Sequence, residues 1–129
     1  MKKIMAGLFT LGALTLSLQA YDQAERIQDM QTMEISMAEI QRGILYNNKK
    51  MVLKGVESLK KASSKVEISK KDHMDYSAKF AKKQAANIIR YAEKLEASIE
   101  ANQKHAATTN YTKVLRECVS CHNKIRKWN

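Results

Sequence analysis

The chain of 129 residues has no proline, and only Gly43 and Gly55 after residue 20. Runs of β-branched or aromatic residues are also missing. Without turn punctuation or strand-forming runs, a sandwich or barrel is excluded and helix formers are left in charge. Aromatic residues make up 6% of the chain, and there are two cysteines, three histidines and one tryptophan. No constellation of acids and bases suited to catalysis is visible, so an enzyme is not expected. The few reactive side chains are not scattered, however. Cys118, Val119, Ser120, Cys121 and His122 stand together near the end.

Cys-x-x-Cys-His is the attachment sequence of a c-type haem. Its spacing follows from the chemistry. Two thiols each close a thioether onto one porphyrin, and an imidazole on the next residue meets the iron from the proximal side. On a helix, positions 118, 121 and 122 share a face and can address one flat ligand. Other readings of the pair are weaker. A disulfide would close a very small loop and stabilise little. Structural zinc needs four ligands, and His73 and His105 are distant in sequence. A dithiol redox motif would open a helix in a βαβ setting, which this chain lacks.

The beginning of the chain agrees with the end. Lys2 and Lys3 precede an apolar run from Ile4 to Leu18 and the small residue Ala20, the pattern of a secretory signal over residues 1–20. The run is short and interrupted for a membrane span, an uncleaved anchor being the alternative, so no stable span is expected after cleavage. Export to the periplasm is where covalent haem attachment takes place. Residues 21–129 then form one domain. They carry 21 basic and 13 acidic side chains. Segment 22–46 holds five acids against Arg26 and Arg42, while segment 49–83 holds eleven lysines against four acids. An exported chain with no recognition motif is not expected to bind nucleic acid.

Hydrophobic spacing predicts four helices. The first runs from about Asp22 to Leu45, with Ile27, Met30, Met33, Met37, Ile40 and Ile44 inward, and Asn47-Asn48 ends it. The second covers Lys50 to Ala62 through Val52, Val56 and Leu59, with a polar loop over 63–71. The third runs from Asp72 to Gln103 on the stripe Met74, Ala78, Ala81, Ala85, Ile88, Ala92, Leu95 and Ile99. The fourth follows a Thr108-Thr109-Asn110 cap to about Lys127, with Tyr111, Val114, Leu115, Cys118, His122 and Ile125 on one side. Short connections between amphipathic helices imply an all-α, antiparallel up-down-up-down four-helix bundle. One covalently attached haem then sits at the end where the chain starts and finishes. Lys60, Lys61, Lys65, Lys70, Lys71, Lys124, Arg126 and Lys127 fall around that end. They form either a solvated face or a basic collar that steers redox partner proteins with acidic docking surfaces. The acidic first helix and basic second helix also make a homodimer conceivable.

With His122 proximal, function turns on the sixth iron position. Met30, Met33 and Met37 offer thioethers from the first helix, although core filling is the ordinary use of such residues. His122 lies roughly 7–8 Å from the end of helix 4, and Met30 roughly 12 Å inside helix 1. Met33 and Met37 come out at roughly 17 and 22 Å, too deep to face His122, so Met30 fits best. His73 near the start of helix 3 is a further candidate, and His105 falls at the opposite end.

A four-helix bundle with this motif on its last helix resembles the class II cytochromes c, the cytochrome c′ family. The resemblance implies that Cys118 and Cys121 anchor haem, that His122 ligates iron, and that Arg126 lies along the haem edge near a propionate. Arg26 followed by Met30 is similar to the low-spin members, in which Met is the distal ligand, and Met30-Gln31-Thr32 is similar to the ligand segment of the related b-type bundle cytochrome. High-spin, gas-binding members instead present Leu or Phe there. The resemblance therefore implies electron transfer. The alternatives are a five-coordinate binder of NO or CO and a haem-free helical adaptor.

Overall fold

A computed structural model describes residues 23–66 and 78–125. The expected leader over 1–20, most of the second connection, Ile68, His73, Met74 and Arg126 lie outside the described residues. Within them the chain forms four helices and no strand: α1 (Gln23–Leu45), α2 (Lys49–Ser64), α3 (Ala78–Glu100) and α4 (Lys104–Ile125).

Two asparagines do the work that glycine does in most chains. Asn47 adopts a left-handed φ of 55°, which its short polar side chain tolerates. There the Asn48 N–H turns back to the Gly43 carbonyl at 2.8 Å and closes α1. The Asn48 side chain then accepts from the Met51 N–H at 3.0 Å, capping α2. Asn102, at φ 58°, repeats the device, with the Gln103 N–H on the Ser98 carbonyl at 2.8 Å. Helix α4 therefore starts at Lys104, and the expected cap at Thr108-Thr109-Asn110 is not one. These residues are already helical. The Thr108, Thr109 and Thr112 hydroxyls donate to carbonyls four residues back, at 3.0, 3.1 and 3.1 Å. Helix α2 likewise continues two residues past Ala62.

The helices pack on their chain neighbours, and α1 also touches α4. Val52, Val56 and Leu59 from α2 and Ala92 and Leu95 from α3 meet Ile40 of α1 and Val114 of α4 in one core. Gly55 lets α1 and α2 come close. A Cβ there would lie 2.8 Å from Ile40 Cγ1 and 3.0 Å from the Ser36 carbonyl oxygen. Ion pairs tie the same two helices, Glu39 to Lys54 at 3.0 Å and Asp29 to Lys65 at 3.7 Å. The acid–base complementarity that suggested a homodimer is thus partly met inside one chain. The first helix departs from its expected stripe. Ile27 is half exposed, whereas Arg26, Asp29 and Ser36 are buried. No helix of the described residues is long and apolar enough to cross a membrane.

Candidate functional site

Val114, fully buried, fixes which face of α4 looks inward. One turn on, Cys118 is partly buried against the core, and Cys121 follows on the same side. His122 is exposed but still borders the interior space described next. Neither cysteine forms a disulfide. Burial, reinforced by negative charge at Cys121 and Glu117, pushes the Cys118 thiol up to about 11. Burial alone raises Cys121. Both side chains therefore stay protonated thiols at neutral pH.

These three residues border a cavity of about 250 Å³ between α1, α3 and α4. Helix α4 adds Leu115 and Val119 to its wall, and α3 supplies Ala81, Gln84, Ala85 and Ile88. From α1 come Met30, Met33, Glu34 and Met37. The expected ranking of the three methionines by depth fails here, because all three reach the same space. Positions 30 and 37 are only about 10 Å apart along a helix. Burial and hydrogen bonding separate them instead. Met33 and Met37 are buried, and Met33 Sδ accepts from Ser63 Oγ at 3.2 Å. Met30 is partly buried and only packs against the edge of the core.

The structure thus brings Cys118, Cys121, His122 and Met30 around one space. Arg26 is buried near the start of α1 but does not line the cavity, and Arg126 and His73 lie outside the described residues. His105 stands in the first turn of α4, beside the connection from α3. A larger cleft of about 500 Å³ between α1 and α2 is polar, lined by Glu25, Asp29, Lys61 and Lys65 among others, and holds none of the motif residues. Among the described residues, no cluster of three or more His, Cys, Asp or Glu side chains is arranged to hold a metal ion. A haem iron asks less, one axial donor on each face, and the walls here are largely apolar with a thioether sulfur on α1 and an imidazole on α4. The donor set fits haem.

One lining residue went unnoticed in the sequence. Gln84 is 9% exposed, and its Oε1 is buried without a hydrogen-bond partner. An orphaned buried acceptor costs about 1–3 kcal/mol. The signal was present: Gln84 interrupts the apolar stripe of α3 between Ala81, Ala85 and Ile88.

Comparison of the chain with protein-family models, with characterised proteins and with solved structures finds no match.

Proposed function

We propose that this chain is an exported mono-haem c-type cytochrome of the class II type, working as a periplasmic electron carrier. The observation that carries the reading is the meeting of Cys118, Cys121 and His122 with Met30 around one apolar cavity. In this reading the helices form an antiparallel up-down-up-down bundle, supported by cross-helix partners whose numbers rise on one helix as they fall on the next. On α1 and α2 these are Met33 with Ser63 and Glu39 with Lys54, and on α3 and α4 they are Asn87 with Glu117 and Ser98 with Asn110.

When bound, haem supplies a one-electron iron couple. The chain's own residues do the rest. Cys118 and Cys121 fix the macrocycle to α4 through two thioethers, so orientation is set covalently. His122 would supply a ring nitrogen to the iron and Met30 a thioether sulfur. A Met/His donor pair would raise the potential of the iron couple compared with stronger donors. Ile88, Met37 and the other apolar walls keep water from the iron. Exposed Lys61, Lys65 and Lys124 contribute to the positive rim that an acidic partner would meet.

The visible spectrum of the protein, exported from a host with haem-attachment machinery, tests this. Low-spin bands in both oxidation states, indifferent to CO, are the expected result. A colourless protein would refute the cytochrome reading, and a high-spin spectrum that shifts with CO would transfer the function to gas binding at five-coordinate iron.

A further inference from the structure

Gln84 is the polar side chain set into the α3 wall of an otherwise largely apolar cavity, and its carboxamide oxygen has no partner. Nothing in the packing asks for a polar residue at this position. Ala81, Ala85 and Ile88 on the same stripe are buried apolar residues, and an unbranched apolar side chain would fill the place without an orphaned acceptor. Neighbouring contacts fix its height on α4. Phe80 lies under Lys124 at 5.9 Å, Asn87 donates to Glu117 at 3.1 Å, and Tyr91 lies under Lys113 at 5.6 Å. Interpolating between Phe80 and Asn87 places Gln84 level with the turn that carries Cys121 and His122. Glu34, the other uncharged-or-acidic polar side chain lining the cavity apart from the motif, is exposed and stands on α1.

An imidazole that ligates a metal through one ring nitrogen carries an N–H on the other, and an acceptor for that N–H fixes the ring and strengthens it as a donor. We propose that Gln84 is a positioning residue for the proximal ligand, its carboxamide oxygen accepting from the non-coordinating ring N–H of His122. The inference rests on the cytochrome reading. It explains why a buried acceptor is retained in an apolar wall: its partner is completed only when His122 turns to the iron.

The experiment compares wild type, Gln84→Leu and Gln84→Glu as haem-loaded proteins, following the His122 ring N–H by NMR of the reduced, histidine-labelled chain alongside the midpoint potential. The wild-type ring N–H is expected downfield and slow to exchange. In Gln84→Leu it should move upfield and exchange roughly ten-fold faster, the scale of one lost hydrogen bond, while the potential rises because a weaker imidazole donor stabilises ferric iron less. Gln84→Glu keeps an acceptor and should retain the slow N–H with a lowered potential. Gln84→Met, unbranched and of similar size, repeats the Leu test should that variant load poorly. A ring N–H with the same shift and exchange in wild type and in the Leu or Met variant overturns the assignment. Failure of the wild-type chain to take haem covalently would instead overturn the cytochrome reading, and this one with it.

Discussion

Met30 and Met33 lie three residues apart on α1 and line the same cavity, yet truncating them should have crossed consequences. Met33 is 6% exposed, and its sulfur accepts from Ser63, a residue itself 1% exposed. Removing a buried methionine side chain costs about 2–5 kcal/mol through lost transfer energy and the cavity left behind. Stranding the Ser63 hydroxyl adds about 1 kcal/mol or more. Met33→Ala is therefore expected to lose about 3–6 kcal/mol, a fall in melting temperature of more than roughly 12 °C for a domain of this size. Met30 is only partly buried, and truncation forfeits about 1–2 kcal/mol of apolar burial. Its effect should appear at the iron. Thermal unfolding and the visible spectrum of each purified haem protein decide the matter. Met33→Ala should unfold early but keep a low-spin spectrum, and Met30→Ala should unfold close to wild type but turn high-spin and bind CO. A Met33→Ala protein with open iron beside a low-spin Met30→Ala protein would refute both the ligand assignment and the reasoning from Ser63.

Gly55→Ala gains about 1 kcal/mol of helix propensity, but its Cβ meets Ile40 and the Ser36 carbonyl at 2.8 and 3.0 Å. Overpacking of about 1–3 kcal/mol should win, so urea denaturation is expected to show a net loss. In chain produced without haem attachment, Cys118 is raised to about 11, chiefly by burial, so the folded form holds its proton longer than the unfolded one. That contribution to stability is complete below about pH 9 and is lost as pH rises from there towards 11; urea midpoints measured from pH 8 to 11 should fall over this window, and fall less in Cys118→Ala.

The sequence told more about some helices than others, for physical reasons. On α2 and α3 the expected inward residues from Val52 to Leu59 and from Ala81 to Ile99 are buried, because one apolar stripe there faces a strongly polar remainder, but Ala78, expected inward as well, stands exposed in the first turn of α3. Helix α1 has isoleucines on two faces. Ile27 and Ile35 point outward at 50% and 68% exposure, while Arg26 and Asp29 are buried. Periodicity alone has no means of choosing between such faces. The start of α4 was misplaced because threonines resemble caps in sequence, whereas the break comes from the left-handed backbone of Asn102, a property of one torsion. The motif on α4 was legible because covalent chemistry demands three rare residue types at fixed spacing. Gln84 shows in the sequence only as a break in the α3 stripe, and that break becomes informative once its oxygen is found without a partner.

Whether the space between α1, α3 and α4 is a site or a packing defect can be argued from what surrounds it. A defect is expected where large side chains fail to interlock, and larger residues relieve it cheaply. Here the α3 wall presents the small side chains of Ala81 and Ala85. On α4, Leu115 and Val119 border the same space while 45% and 44% exposed. Each feature alone is an ordinary imperfection, costing little. Together they put small residues and an orphaned acceptor in the α3 wall, uncovered apolar residues at the rim, and two protonated thiols and an imidazole on α4. A bundle selected only for stability has no reason to concentrate these in one place. Under the proposed function each of them would become a fitted surface: the alanines would make room for a flat apolar group, Leu115 and Val119 would gain cover, and the thiols would hold what covers them.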